Sequence, residues 1–500
     1  MVSALPEGLL TYIPVLMLSL SLLAALAIFP MPEQRVRLRS AVNIGAALLK
    51  VSLVLLLIPA VVDADFRPEY SMSFLPGIDL VLRVDQLSVF FAALSSVLWL
   101  LTTVYAIGYL RGQKHRSRFF GFFSLCVTAT VGISFSGNLI TFLVFYEMLT
   151  IVTYPLLAHW GNPESLRAAR LYLRYTLSGG LALLFGVVWL TIYAGPVDFA
   201  PGGASGVAEL AAHSPGIAAA IFAVLIGGLG VKAALFPLHG WLPAAMVAPA
   251  PVSALLHAVA VVKAGVFGIV RVIDDVYGIG VARELGVLTP LLLLAGFTIL
   301  YGSYQALRQT DLKKRLAYST VSQVSYVTLG IALATLSGAT GGIVHLVHQG
   351  IMKITLFFCA GLFAESVGAK RVDQLGGLGR RMPGTSIAFT VAAFGMIGLP
   401  PTAGFVSKWQ LGLGALDSPH PWVVGVLLVS SLLNALYFLP PVYSLWFREP
   451  EEGQRAAEPA SLLVPTLATT VMVLVFGGAA ATSFLPLDIA ERIASGVFGQ

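Results

Sequence analysis

The chain has 500 residues, 57% of them hydrophobic and only 11% charged, with a mean hydropathy of +0.87. A soluble domain carries about 25% charged residues, so this sequence cannot cover a water-facing surface and a soluble protein is excluded. Thirty Lys and Arg against 24 Asp and Glu give a formal charge of +6, but in a membrane protein placement outweighs the sum. The two cysteines, Cys126 and Cys359, sit far apart in apolar runs. Without a CxxC or a four-cysteine set, an iron–sulfur cluster held by this chain is excluded and no cofactor is expected.

Crossing about 30 Å of hydrocarbon at 1.5 Å per residue takes roughly 20 apolar residues. In chain order such stretches run over 9–29, 40–62, 83–109, 119–136, 138–158, 168–195, 214–236, 250–272, 285–306, 315–336, 341–365, 383–414, 421–446 and 460–483. The predicted fold is therefore an all-α polytopic membrane protein of about 14 transmembrane helices. The first stretch is too long for a cleaved signal peptide and has no basic residue before it, so it is expected to be retained. Nineteen of the 30 basic residues fall in odd-numbered loops and four, Arg67, Arg83, Arg271 and Arg283, in even-numbered ones. The positive-inside rule then places the odd loops in the cytoplasm and both termini outside. The expected location is the cell (inner) membrane.

The remaining basic residues are Lys50, Arg174, Lys232, Lys263, Lys353 and Lys408, inside or beside crossings, and Arg492 in the tail. A charge at mid-bilayer costs about 2.5–3.5 kcal/mol, so such positions point to a polar path or a paired site. Glu147 is the one acid placed squarely within a predicted crossing. The seventh stretch runs from Lys232 into Phe236-Pro237-Leu238-His239-Gly240-Trp241-Leu242-Pro243, where two prolines must break or kink it. A second interruption, Gly398-Leu399-Pro400-Pro401, precedes Lys408. Breaks at membrane depth are tolerated only against protein or a wet cavity, and paired breaks mark transporters built from repeats. A kink serving packing alone explains either break by itself equally well.

Lysine gives up its proton readily when buried, whereas arginine stays charged. Movement of Glu147 towards or away from Lys232 would change that lysine's proton affinity; a static structural salt bridge is the alternative. His257 and Lys263 lie six residues apart on the eighth stretch, about 9 Å along the helix, a span for bridging water. His345, His348 and Lys353 share the eleventh, with the two histidines at i and i+3 on one face. Histidine titrates nearest neutrality; a metal site or a hydrogen-bonded core role competes for each, and no third ligand lies close in sequence. Asp311 to Gln323 opens the tenth stretch with a basic cluster followed by a row of hydroxyls able to line a water file. Lys50 has no evident partner and no functional assignment.

These residues resemble the antiporter-like subunits of respiratory complex I, membrane-bound hydrogenases and Mrp-type sodium/proton antiporters. The resemblance runs from Val84-Asp85-Gln86-Leu87-Ser88 through Lys408. It rests on Tyr146-Glu147, on Lys232 with Phe236 to Pro243, on Ala250 to His257 with Lys263, and on Asp311-Leu312-Lys313-Lys314 through Ser322-Gln323. It implies two inverted five-helix repeats, helices 4–8 and 9–13, with broken helices seven and twelve. The implied units are residues 1–110, 119–272, 285–446 and 460–500. It also implies a mid-membrane polar axis in which Glu147 and Lys232 form a modulating pair, Lys263 and His257 the centre, His345 its continuation and Lys408 the terminal proton site. His348, Lys353 and His239 are possible relay members. The usual eleventh-helix pattern, His-x-x-Asn-His, reads here His345-Leu346-Val347-His348-Gln349. One position is about 100° of rotation, which puts the orientation of His348 in doubt. Lysines at 263 and 408, and the absence of a long lateral helix after the last span, make the chain look most like the D-type component of the Mrp antiporters.

The leading expectation is a proton-translocating subunit of a multisubunit monovalent cation (Na+)/H+ antiporter, a transporter rather than an enzyme. The alternatives are a membrane-arm subunit of a redox-driven complex and a membrane subunit of an inorganic-carbon uptake complex; fold does not decide among them. Expected partners are other membrane subunits, the lipid bilayer and protons, with no nucleic acid. No intramembrane carboxylate cluster resembles a sodium site in the sequence, so any Na+ is expected to cross elsewhere in the complex.

Overall fold

The computed structural model describes residues 11–63, 66–449 and 456–499; the start of the first predicted span and Arg455 lie outside them. A helix stands at each predicted crossing: α1 (Ile13–Ile28), α2 (Val36–Val62), α3 (Gln86–Tyr109), α4 (Arg116–Phe135), α5 (Leu139–Leu157), α6 (Pro163–Ala194) and α7 (Pro215–Lys232). Then follow α8 (Ala250–Tyr277), α9 (Leu288–Leu307), α10 (Leu312–Ala332), α11 (Leu336–Val367), α12 in two halves (Pro383–Ile397 and Ala403–Leu416), α13 (Val423–Phe447) and α14 (Ala460–Gly478). Among the described residues 11 helices are long and apolar enough to cross a membrane by themselves. The three that fall short have separate reasons. The described part of α1 has 16 residues, α12 is interrupted, and α10 carries the basic opening and the hydroxyl row that lower its hydropathy.

Short polar side chains fix where many helices begin. Asp85 and Ser88 form a reciprocal cap on α3. Asn138 accepts from the Thr141 N–H, Asn162 from Ser165, Asp311 from Lys314 and Thr335 from Gly338. Each of these caps satisfies an N–H that the helix itself leaves unpaired.

Further elements lie outside the predicted crossings. An antiparallel hairpin, β1 (Glu69–Leu75) and β2 (Ile78–Arg83), pairs Glu69 with Arg83 and shifts register between Ser73 and Leu75. The short helix Ser205–His213 and the terminal helix Pro486–Phe498 are the longest of the others. Arg83 donates to the Phe199 carbonyl (2.8 Å) and Arg492 pairs with Asp63 (2.9 Å). The hairpin, the segment around Phe199 and the terminal helix therefore share one face of the molecule, called the hairpin face below.

The apolar stretch of α8 is wholly buried, whereas that of α2 is 28% and those of α6, α13 and α14 are 33% buried. α8 is thus the central post, and these four helices present apolar surface to lipid or neighbouring chains. Their exposed residues, such as Leu55, Leu181, Phe185, Leu428 and Leu432, suit that environment.

Candidate functional site

α7 ends at Lys232, as the Phe236–Pro243 run dictates. Ala234 takes a left-handed conformation (φ +56°), and the Phe236–Pro237 bond is cis, as is Pro400–Pro401 in the second break. The carbonyls freed at the break find partners: Val231 accepts from the Trp241 indole (2.7 Å) and Gly230 from the Leu235 N–H (2.9 Å). Gly265 of α8 lies against this turn, where a Cβ would stand 2.7 Å from the Lys232 carbonyl carbon. The central helix can reach the broken one only because that position is glycine.

Lys232 is fully buried. Its ammonium donates to the Tyr146 carbonyl and lies 3.3 Å from the centre of the Tyr146 ring. The static salt bridge with Glu147, weighed as the alternative, is not closed. The Glu147 carboxylate has one oxygen without a hydrogen-bond partner and packs against Gly180 of α6. Backbone and ring of the neighbouring Tyr146 hold the lysine in place of the acid, so the two charges are adjacent but separate.

Lys263, His257, His345 and Lys353 are completely buried. Lys263 donates to the Leu346 carbonyl of α11 (2.7 Å). His257 sits in a wide turn of α8, Leu255–Val259; its ring lies 4.5 Å from that of Phe357 and neither nitrogen has a partner. His345 bonds through Nδ1 to the Ser407 hydroxyl (2.8 Å) beside Tyr326, leaving Nε2 free. Lys408 is half-buried and donates to the Met396 (2.9 Å) and Ile397 (2.8 Å) carbonyls and the Ser431 hydroxyl (3.1 Å). Those two carbonyls belong to the end of the first half of α12, so the break itself supplies the lysine's acceptors.

His348 and His345 do not converge. His348 lies 6.4 Å from the Phe476 ring of α14, with both nitrogens unpartnered, while His345 turns to α12. Among the described residues no three His, Cys, Asp or Glu side chains gather as metal ligands. His239, in the α7 break, packs among Phe236, Tyr301 and Tyr318.

Two members of the site, Asn434 and Tyr437, escaped the sequence. Lys353 donates to the Ser319 hydroxyl (2.6 Å), the Ser319 and Tyr437 hydroxyls are bonded at 2.9 Å, and the Tyr437 phenol gives its one proton to the Asn434 side-chain carbonyl (2.5 Å), which leaves Ser319 as the donor to Tyr437. Asn434 in turn donates to the Met396 carbonyl (3.1 Å), which Lys408 also binds. A continuous hydrogen-bonded chain thus joins Lys353 to Lys408 through α10 and α13. Ser319 belonged to the expected hydroxyl row, but Asn434 and Tyr437 read as ordinary members of an apolar stretch. Ser322 of the same row meets Ser303 of α9 (2.8 Å), which also bonds Ser430 of α13 (3.3 Å).

Two acids correct the expectation that Glu147 is alone within the crossings. α8 continues past 272 to Tyr277 and carries Asp274 and Asp275, both buried. Lys50 also has partners: the Ser21 hydroxyl at 2.6 Å, itself bonded to Thr128, and the Trp99 ring at 5.2 Å.

Comparison with known proteins gives a consistent likeness. Residues 136–434 match the family described as NADH:quinone oxidoreductase/Mrp antiporter, and residues 76–120 match the complex I chain 5 N-terminus. NADH-quinone oxidoreductase subunit N of Desulforudis audaxviator is 36% identical over 428 residues, 80% of this chain and 82% of that protein. A probable K(+)/H(+) antiporter component of Rhizobium meliloti is 33% identical over 393 residues, 76% of this chain and 38% of that one. In fold, a chain of the Mrp complex from Dietzia superposes with a TM-score of 0.87 at 24% identity, covering 98% of each chain.

Proposed function

We propose, from the premise that the chain belongs to the NADH:quinone oxidoreductase/Mrp antiporter family of membrane proteins, that it carries protons along a mid-membrane line of lysine and histidine side chains. The observation behind this is the company the lysines keep. Lys232, Lys263, Lys353 and Lys408 are held by carbonyls, hydroxyls and rings, and His257 and His345 between them keep unpartnered nitrogens. Among the described residues no carboxylate locks these lysines in the charged form, so a proton can be taken or given without tearing out a buried ion pair. Glu147 stands next to the Lys232 anchor, where closing the pair would hold the proton and opening it would release it.

The two repeats are assigned to 119–272 and 285–446, each with its break and its lysine, flanked by 1–110 and 460–500. The chain acts as a transporter subunit within a larger membrane complex, with odd loops cytoplasmic and both termini outside. The coupling assigned to it is monovalent cation/proton antiport; the lysine at 408 and the resemblance to the D-type Mrp component favour it, with sodium crossing elsewhere in the complex. A second reading, a proton-pumping subunit of a redox complex, draws support from the Desulforudis relative.

The test is sodium-dependent proton flux in vesicles containing the whole complex, comparing the natural sequence with Glu147→Ala and Lys232→Ala while assembly is checked. Loss of exchange with assembly intact is expected. Exchange that survives Lys232→Ala would overturn proton conduction along this line. Absence of sodium-dependent exchange in the natural complex, together with co-purifying iron–sulfur partners, would move the coupling to the redox class.

A further inference from the structure

At the hairpin face α8 ends in a carboxylate cluster that the lysine line does not use. Arg271 serves two acids at once: its guanidinium lies 2.7 Å from Asp275 and 2.8 and 2.9 Å from the two oxygens of Asp85. It is further enclosed by the Phe199 and Phe267 rings, each 5.2 Å away. Asp274 is left over. It is 2% exposed, and neither of its carboxylate oxygens has a hydrogen-bond partner. Yet it lines a cavity of about 130 Å³ with Asp85, Asp275, Arg271, Arg83 and Arg67.

An ionised carboxylate out of water and without a donor is among the costliest states a side chain can hold, and it is relieved by neutralisation. We propose that Asp274 is a proton-binding site, loaded from water in this cavity. The surroundings favour a proton over a metal cation. Three guanidinium groups border the cavity, and among the described residues the acids do not converge on one point as cation ligands would.

The charges around Asp274 come from every side. Arg271 and Asp275 belong to its own helix, Asp85 to the start of α3, Arg83 to β2 and Arg67 to the segment before the hairpin. Arg83 is paired with Glu69 (2.5 Å), and the terminal helix adds only the uncharged Ile493, Gly496 and Val497. Asp274 lies eleven residues beyond Lys263 on the central helix, about three turns and roughly 16 Å. It is therefore placed as the port between the lysine line and the hairpin face. That second step rests on the proton-conduction reading; the binding site does not.

Infrared spectra of the purified whole complex test the site. The carbonyl stretch of a protonated carboxylic acid, shifted in heavy water, is expected in the natural protein and lost in Asp274→Asn. Absence of such a difference, or a band that appears only when sodium is withdrawn, would overturn the proton site. Failure of Asp274→Asn to assemble would also count against it, because the amide is the neutral isostere of the protonated acid. Vesicle proton flux tests the port. Loss of flux in Asp274→Asn supports it, and normal flux despite the lost band overturns it. If Lys232→Ala conducts normally while the Asp274 band persists, the conduction reading fails and the proton site stands.

Discussion

Gly180 of α6 faces the Glu147 carboxylate. A Cβ built there would overlap one carboxylate oxygen and stand 2.8 Å from the other. Overpacking of this kind typically costs about 1–3 kcal/mol, and the flexible carboxylate yields more readily than the α6 backbone. Gly180→Ala is therefore expected to push Glu147 off its place and depress vesicle proton flux towards the level of Glu147→Ala, with assembly retained. Gly227 of α7 has nothing within 4 Å of the same hypothetical atom, so Gly227→Ala is the matched control and should leave flux unchanged. Equal flux from both variants would mean that the position of the Glu147 carboxylate does not govern Lys232. The importance of Gly180 was invisible in the sequence, because a glycine in an apolar helix reads as one packing contact among many.

At the level of the element, helix starts were legible and helix partners were not. The start of α4 shows the difference. Glu33, in the connection between α1 and α2, reaches across to accept the Ser117 N–H (3.0 Å) and the Arg116 N–H (3.1 Å). It thereby places an anion at the positive end of the helix. Burial pushes this carboxyl up, but the Ser117 and Arg116 N–H groups and the Arg39 guanidinium outweigh it and hold the group below its usual range. A depressed acid stabilises the fold above its unfolded value, about 4.3 for Glu, and that contribution fades as the pH falls through the lower folded value. Glu33→Ala is thus expected to lower the apparent unfolding midpoint of the detergent-solubilised complex at pH 7, by an amount typical of a lost cap, about 1 kcal/mol. The difference from the natural protein should shrink well below pH 4. A difference of the same size at both pH values would mean that the charge of Glu33 plays no part. Hydropathy and the prolines revealed every membrane-crossing helix and both breaks, since those signals are local, but not the short helix Ser205–His213 or the terminal helix Pro486–Phe498. The extension of α8 to Tyr277 was missed because Asp274 and Asp275 end the apolar window although the surrounding fold buries them. The hairpin escaped because two strands of seven and six residues are too short to stand out beside apolar stretches of twenty.

For the whole molecule the question is whether the two halves conduct in series. The lysines were legible one by one, since each is expensive in an apolar stretch; their connections depend on which helices meet, and no residue pattern gives that. In the second half the link is explicit. Lys353, Ser319, Tyr437, Asn434 and the Met396 carbonyl lead to Lys408, bypassing His348. An amide and a carbonyl pass hydrogen-bond orientation rather than protons, so in the proposed conduction this chain sets the geometry of the Lys408 site and the proton itself is left to His345 and water. Tyr437→Phe removes the phenol that joins Ser319 to Asn434 and is expected to lower flux partially, unlike the loss expected from Lys408→Ala. Conduction in series also makes an arithmetic demand. Lys232→Ala and Lys408→Ala lie in different repeats, where losses from parallel routes would add, yet groups that act as one unit are strongly non-additive. The double variant should then conduct no worse than the poorer single variant in the same vesicles. Single losses that are each partial and that add up in the double variant would mean that each repeat has its own route across the membrane, since parallel routes sum, and that the central lysines do not join them.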